Sequence, residues 1–299
     1  MCTTQLQFDE SLFKSPTDVC FIRPASIEPT EQTRELLLAI SDESDGVKIA
    51  NFWTQKIIKT ITLQTADAKA ICYNSTKRQL VVSAARQPTG EPLELQIIEF
   101  ESGKVVETVP LPQQPEINPN YTRWVTYDAA TNNILVCCGD NKTAALWKYS
   151  CSSKQWILLV TKSGDFEHPN VVPKALNAGA DYAILMSVYS DAEDWCQKVF
   201  GFKSDNLVYE HTLNISKSAV QEGWCSAVSQ SGRIHVYDYL TGVVLELAVQ
   251  ITPGGPCAIP LRASASVGLG QSVSMDVLED RWLIVVCAES QRVIMFKLD

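Results

Sequence analysis

Short apolar runs alternate with polar turns along most of the chain, and this pattern predicts β-strands. In residues 34–63, the run LLLAIS meets an Asp-Gly turn at Asp45 and Gly46, and the runs VKIANFW and IIKTITL follow. Each run is rich in β-branched or aromatic residues and is bounded by turn formers, which is typical of strands joined in antiparallel hairpins. Together with the preceding run at residues 17–22, these segments predict a four-stranded meander.

The same unit returns along the chain, and self-similarity at a fixed period indicates a repeat architecture. We place six units, the last of which lacks a fourth strand. In chain order they are residues 17–63, 69–109, 121–161, 171–214, 216–251 and 271–299. The third strands are aligned on Ala50, Ile98, Trp147, Phe200, Tyr237 and Phe296. Their mean spacing of about 49 residues is close to the period of β-propeller repeats, and no segment shows a sustained helical period.

The first residues of the chain supply the strand that the last unit lacks. Residues 3–8 (TTQLQF) alternate polar and apolar side chains and belong to no other unit. Sheets stacked radially about an axis cover each other's faces and leave only short edges. We therefore expect one all-β domain over residues 1–299, a six-bladed β-propeller of four-stranded antiparallel blades. In it, the N-terminal strand completes the last blade; seven blades is the alternative.

Two units carry a more specific pattern. Residues 231–242 (SGRIHVYDYLTG) show a Gly turn, alternating apolar residues, an aromatic-Asp pair and a closing Thr-Gly, and this resembles a WD40 repeat. The first unit is similar, with Ala50 and Asn51 in place of the aromatic-Asp pair. No Gly-His pair precedes any second strand, so the regular WD40 hydrogen-bond network is not expected. An NHL-like repeat is the alternative, because residues 281–297 also suit its shorter pattern.

Two proline-rich stretches, residues 110–120 and 253–270, separate neighbouring units. Because proline lacks a backbone N–H donor, we expect neither stretch to lie in the interior of a sheet. Long loops of this kind are commonly functional or disordered, so contact with a partner is one hypothesis for both of them.

Composition narrows the class of protein. The net charge of −9 over 299 residues repels phosphate backbones and anionic lipid, so direct nucleic-acid binding and membrane binding are not expected. The N-terminus lacks the pattern of a secretory signal, and the ten cysteines include no C-x-x-C pair. We expect reduced thiols and a cytoplasmic or nuclear protein.

The sequence offers no catalytic constellation. The three histidines, His168, His211 and His235, fall on different units, and no nucleophile elbow, phosphate loop or zinc-protease motif occurs. We therefore predict no catalytic residue, no metal and no cofactor. An enzyme whose site is assembled in the axial channel from distant residues is kept as a minor alternative.

Acidic residues cluster in two turns that join second to third strands, and such turns lie at the same end of a propeller. A calcium site requires more oxygen ligands than these turns offer, so we interpret them as a solvated acidic rim that attracts a basic partner. Trp195 follows the second turn, and aromatic residues at strand ends are enriched in binding hot spots. The candidate partner-binding residues are Asp42, Glu43, Asp191, Glu193, Asp194 and Trp195.

These observations favour a non-catalytic intracellular scaffold or adaptor. It would present its loops to a protein or peptide partner as part of a larger complex, and the acidic rim favours a basic partner. The alternative is an accessory propeller subunit of an RNA-processing or RNA-modifying complex, in which a partner does the nucleic-acid work. Because unrelated functions share this fold, the function follows only weakly from the architecture.

Overall fold

The structure is a computed structural model, and most of the chain is described in it. The described residues are 5–22, 36–63, 66–86, 91–112, 122–139, 143–163, 166–172, 181–188, 195–203, 206–215, 223–229, 231–252, 255–264, 268–270 and 273–298. These residues form 24 β-strands and one 3-10 helix, and the strands make up six four-stranded antiparallel sheets.

We number the sheets by the chain order of their first strands. Sheet 1 contains β2 (Pro16–Ile22), β3 (Leu37–Asp42), β4 (Gly46–Asn51) and β5 (Lys56–Ile61). Sheet 2 contains β6 (Ala66–Asn74), β7 (Gln79–Arg86), β8 (Glu91–Glu99) and β9 (Val105–Pro110). Sheet 3 contains β10 (Thr122–Asp128), β11 (Asn133–Gly139), β12 (Thr143–Ser150) and β13 (Gln155–Ser163).

The second half of the chain repeats this order. Sheet 4 contains β14 (Phe166–Val172), β15 (Tyr182–Val188), β16 (Trp195–Lys203) and β17 (Asn206–Ile215). Sheet 5 contains β18 (Gly223–Val228), β19 (Arg233–Asp238), β20 (Val243–Thr252) and β21 (Gly255–Ala263). Sheet 6 contains β22 (Val273–Leu278), β23 (Trp282–Cys287), β24 (Arg292–Lys297) and, from the start of the chain, β1 (Gln5–Gln7).

The first strands of the sheets surround a central axis. Neighbouring first strands are in contact from β2 through β6, β10, β14, β18 and β22, and β22 in turn contacts β2. The core lies between facing sheets. Ala39 and Ile49 of sheet 1, for example, are fully buried in one cluster with Leu80 and Val82 of sheet 2. The chain is therefore an all-β propeller whose blades are four-stranded antiparallel sheets.

The N-terminal segment lies in sheet 6. Leu6 of β1 is opposite Met295 of β24, and the Phe8 N–H donates to the Val293 carbonyl at 3.1 Å. This position agrees with the outer strand expected at residues 3–8, although residues 3 and 4 lie outside the described residues. A 3-10 helix (Glu10–Leu12) follows, and the Asp9 carboxylate caps it by accepting the Ser11 N–H.

The fifth unit differs from the prediction by one strand. Tyr237, aligned above with third strands, lies in β19, which is the second strand of sheet 5. The alignment was misled because the same type of turn follows different strands in different sheets. The N–H groups of Gln55, Lys154 and Gly242 each donate to the carbonyl four residues earlier, and all three residues have positive φ. In sheets 1 and 3 this turn follows the third strand, whereas in sheet 5 it follows the second.

The correct alignment makes the repeat more regular. The observed third strands begin at Gly46, Glu91, Thr143, Trp195, Val243 and Arg292, with separations of 45 to 52 residues. The stretch 253–270, which the sequence analysis placed between units, contains β21, the outer strand of sheet 5. Pro256 and Pro260 thus occupy a sheet edge, where a missing N–H is tolerated. The other proline-rich stretch is residues 110–120, of which residues 113–120 lie outside the described residues.

The first strand of the fourth unit also lies elsewhere. It is β14 (Phe166–Val172), whereas the fourth unit predicted above begins only at residue 171. The prediction missed it because Pro169 interrupts its apolar pattern. The pairing accommodates this proline in a β-bulge, where His168 and Pro169 together face Met186.

In sheets 1 to 5 the outer strand carries a β-bulge of one extra residue. The extra residue is aliphatic in every case, and these residues are Ile58, Val106, Leu159, Val208 and Leu261. A bulge interrupts the ladder and twists the edge away, so an outer strand is a poor template for pairing with another chain. The exposed aliphatic residues on these edges therefore have a structural explanation.

Among the described residues, no helical segment has the length and hydropathy that a bilayer crossing requires.

A substitution at Phe8 tests how much the N-terminal segment contributes to the stability of the fold. Its side chain is 1% exposed and packs edge-to-face on Phe13, with ring centroids 5.8 Å apart. We expect Phe8→Ala to lower the free energy of unfolding by about 3–5 kcal/mol, because it opens a cavity between sheets 1 and 6. The control Val106→Ala, at a bulge residue that is 53% exposed, should change it by about 0.5 kcal/mol or less. Urea denaturation measures both, and equal effects would contradict the packing role.

Candidate functional site

The first acidic turn, residues 43–45, joins β3 to β4, a second strand to a third. We call the end of the ring at which second strands pass into third strands the upper end. The second acidic stretch lies between β15 and β16 in the sequence, and its residues Asp191, Glu193 and Asp194 lie outside the described residues. Trp195 is the first residue of β16 and is paired with Ile215 of β17.

Asp42 is fully buried, which differs from the solvated position expected from the sequence. Its Oδ2 accepts the Lys14 N–H at 2.9 Å, and its Oδ1 accepts the Ser44 N–H at 3.1 Å. The Lys48 Nζ lies 3.3 Å from Oδ2. Asp42 therefore holds the N-terminal segment and its own turn in place, and its carboxylate is not offered to a partner.

Lys48 is the cation at the centre of this arrangement. Its side chain is buried, and its Nζ donates to the Leu12 carbonyl at 2.5 Å and lies 2.8 Å from the Asp45 carboxylate. The Nζ also lies 5.4 Å from the centre of the Phe13 ring, within the range of a cation–π contact. One buried lysine thus fastens the 3-10 helix to sheet 1.

The remaining acidic residues of this turn are also paired. Hydrogen bonds from Lys14 and Lys48 lower the pKa of Asp45. Glu43 forms an ion pair with Lys69 of β6, and its N–H donates to the Ser15 carbonyl at 3.0 Å. The Glu43 side chain is nevertheless 38% exposed. The turn is therefore anchored by several contacts, its charge is largely compensated within the chain, and Glu43 is the most exposed of its three carboxylates.

A second carboxylate, missed at the sequence level, joins three sheets at the channel wall. Asp18 of β2 accepts the Ile71 N–H of sheet 2 at 2.7 Å, the Val19 N–H at 2.8 Å and the Ser274 hydroxyl of sheet 6 at 2.5 Å. The channel-side edge of a first strand has no further strand to bond, so its N–H groups require other acceptors. Asp18 supplies one where sheets 6, 1 and 2 meet.

Asp276 repeats this arrangement one sheet earlier. Its Oδ2 accepts the Phe21 N–H of sheet 1, and its Oδ1 accepts the N–H of the next residue, Val277, both at 2.8 Å. In both strands a valine follows the aspartate. The dipeptide Asp-Val within an apolar run is therefore the sequence feature that could have revealed these two buried carboxylates.

Lys48 could also have been recognised from the sequence, since it is the single charged residue in the run VKIANFW.

The pKa of Asp18 is raised from 3.8 to about 7, chiefly because burial removes the charged form from water. The three donated hydrogen bonds oppose this shift, and the nearby Asp276 carboxylate adds to it. Asp18 therefore titrates near neutral pH.

The described residues offer no reactive cluster. Among them, no group of three or more His, Cys, Asp or Glu residues could hold a metal ion. Burial raises the pKa of the Cys138 thiol to about 12, so this cysteine is a poor nucleophile. His235 is buried in β19 and His211 is partly buried in β17, on different sheets.

Comparison with known proteins identifies the fold. No family model and no curated protein matches the sequence. The Cps50 (Swd1) β-propeller domain of Myceliophteria thermophila superposes with a TM-score of 0.60 and 12% identity, covering 100% of this chain and 99% of that one. U3-55K gives a TM-score of 0.59 and 10% identity, with 98% of both chains covered. The first of these is a β-propeller domain, so the β-propeller fold predicted from the repeats is confirmed.

Hydrazine synthase of Kuenenia stuttgartiensis is similar to the same extent. Its TM-score is 0.61 at 9% identity, covering 95% of this chain and 96% of that chain. One of the three similar structures is therefore an enzyme, so the fold by itself does not distinguish catalytic from non-catalytic proteins.

Lys48 provides a test of the buried ion pair. We expect Lys48→Met to lower the free energy of unfolding by about 3–5 kcal/mol, because it leaves the Asp42 carboxylate buried without a cation. The control is Lys14→Met. Lys14 also pairs with Asp45, but its side chain is 66% exposed, so its loss should cost about 1 kcal/mol or less. Urea denaturation compares the two, and similar losses would contradict a special role for Lys48.

The raised pKa of Asp18 predicts an unusual pH dependence. Between about pH 4 and pH 7 the folded protein holds a proton on Asp18 that the unfolded chain has released. The free energy of unfolding should therefore rise as the pH falls from 7 towards 4, by up to about 1.4 kcal/mol per pH unit from this group. Urea denaturation across this window should show that, as the pH falls, the free energy of unfolding of wild type rises relative to that of Asp18→Asn. Parallel curves would contradict the shift.

Proposed function

We propose that this protein is a non-catalytic scaffold that binds a protein or peptide partner at the upper end of a closed six-bladed ring. Two observations support closure at six blades: the first strands contact one another all the way round, and β1 completes sheet 6. On this proposal residues 1–299 form a single propeller domain.

The anchored acidic turn of sheet 1 carries the proposal. A surface that is held in one conformation before binding loses little entropy when a partner docks. The turn at residues 43–45 is held by Lys48, Lys69 and the N-terminal segment, and it leaves Glu43 at the surface. We propose that Glu43, Asp191, Glu193, Asp194 and Trp195 form the partner-binding rim, and that Asp42 supports it from beneath.

The partner would carry basic groups that complement these carboxylates. The proposed setting is the cytoplasm or nucleus. Seven cysteines among the described residues are free thiols, and six of them are buried, which supports a reducing compartment.

Affinity capture from the native cell tests the rim. The full-length protein should retain a stoichiometric partner, which the double variant Asp194→Lys, Trp195→Ala should lose. The control Glu101→Lys reverses an exposed charge in the turn after β8, at the opposite end of the ring, and should retain the partner. Failure to capture a partner, or equal capture by the double variant, would overturn the proposal.

A further inference from the structure

An aromatic cluster reaches the surface at the lower end of the ring, opposite the upper end, where sheets 6 and 1 meet. Trp53 lies in the turn between β4 and β5, and Trp282 begins β23 after the turn that follows β22. Turns from a third strand to a fourth and from a first strand to a second both lie at the lower end. Trp53 is 40% exposed, and Trp282 is partly exposed. We call these two residues, together with Arg281 and Lys297 beside Trp282, the tryptophan patch.

The two indoles pack on each other and on the core beneath them. The Trp53 and Trp282 ring centroids are 5.2 Å apart, in an edge-to-face arrangement. They lie 4.8 and 4.9 Å from the ring centroid of Phe52, which is fully buried. Phe52 in turn lies 6.0 Å from the buried ring of Phe21. The patch is therefore the outer surface of the core between sheets 1 and 6, and not one isolated exposed side chain.

Hydrogen bonds fix the backbone on both sides of the patch. In the turn that carries Trp53, the Asn51 side chain accepts the Thr54 N–H at 2.8 Å. The Arg281 N–H donates to the Leu278 carbonyl at 2.9 Å, and the Arg281 carbonyl accepts the Leu298 N–H at 2.7 Å. A surface that is fixed before binding loses little conformational entropy when a partner docks on it.

Two cations flank Trp282. Arg281 precedes it in the chain, and Lys297 of β24 is directly opposite it in the sheet. Directly opposed residues of antiparallel strands extend their side chains from the same face, so Lys297 lies beside the indole of Trp282. Both cations are exposed, and neither forms an ion pair with another residue in the described part of the chain. Their charges are therefore available to a partner.

The turn before Trp282 also contains two acidic residues, Glu279 and Asp280. The Ser231 hydroxyl of sheet 5 donates to the Asp280 carboxylate at 2.7 Å, so Asp280 is directed towards sheet 5 and away from sheet 1. Glu279 is the remaining carboxylate of the turn, and the two cations outnumber it. The patch is thus an apolar surface with a positive edge, on a chain whose net charge is −9.

This combination indicates the chemistry of a partner. Tryptophan and arginine are enriched among the residues that carry most of the binding energy of protein interfaces. A large apolar side chain would cover the exposed indole surface, and acidic neighbours of that side chain would complement the two cations. Two cations are too few for a polyanionic nucleic-acid backbone, which the net charge also repels.

We propose that the tryptophan patch binds an acidic peptide segment that places one large apolar side chain against Trp53 and Trp282. The acidic residues of the segment pair with Arg281 and Lys297. This inference goes beyond the proposed function, because the patch lies at the opposite end of the ring from the acidic rim and binds a segment of the opposite charge.

Fluorescence anisotropy with short degenerate peptide libraries tests this chemistry on the full-length protein. One labelled library has a central leucine or phenylalanine flanked by aspartate and glutamate. A second replaces the central residue with serine, and a third replaces the acidic flanks with serine and glutamine. The first library should bind more tightly than either of the others. Equal binding of the three, binding of none, or tighter binding of labelled oligouridine would overturn the proposal.

Variants assign the binding to the patch. Trp53→Ala should weaken the first library by about tenfold or more, the scale of a hot-spot residue. The double variant Arg281→Glu, Lys297→Glu changes exposed residues only and should abolish the advantage of acidic over neutral flanks. Its control is Arg78→Glu, Lys104→Glu, which changes the net charge equally through exposed cations of sheet 2 at the same end of the ring. The control should keep the preference.

Unchanged binding in both patch variants would show that the site is elsewhere. Sedimentation velocity tests a second copy of this chain as the occupant. A dimer that dissociates in Trp53→Ala would assign the patch to self-association and overturn the proposal, whereas a monomer in both proteins agrees with it. The scaffold proposal fails separately, because its cellular capture depends on Asp194 and Trp195 and not on the patch.

Discussion

The structure depends on the burial of both faces of every sheet against its neighbours around the axis. A four-stranded meander has two apolar faces, and it cannot cover both by itself. Ala39 and Leu80 are fully buried because they lie between sheets 1 and 2, and Ile284 and Val293 of sheet 6 are buried in a cluster shared with sheet 1. The junction of sheets 6 and 1 is special because the two ends of the chain meet there.

This junction is reinforced on both sides. At the channel wall, the Asp18 and Asp276 carboxylates bond backbone N–H groups of the neighbouring sheet. Farther out, Phe8 and Phe13 fill the space between the sheets, and Lys48 fastens the connecting segment through the Leu12 carbonyl. Each of these polar groups is satisfied in a buried setting. They therefore favour one arrangement of sheets 6 and 1, whereas apolar packing alone tolerates several.

The sequence predicted the repeat, the strand type and the N-terminal strand, because these follow from local alternation and turn residues. It misplaced the third strand of sheet 5, since the same turn follows the second strand there and the third strand in sheet 1. It also placed Asp42 in solvent. A carboxylate in a turn usually faces water, and only the buried Lys48, brought close by the fold, explains the exception. Asp18 could not be recognised as a junction residue, because its partners Ile71 and Ser274 are far away in the sequence.

The partner-binding surface that we propose at the upper end depends on closure of the ring. Hydrogen exchange tests the proposed closure most directly. The amides of residues 292–297 in β24 should be protected in the full-length protein and should exchange much faster when the chain begins at Asp9, while those of residues 46–51 in β4 stay protected. Equal protection of residues 292–297 with and without the N-terminal strand would contradict the proposed closure.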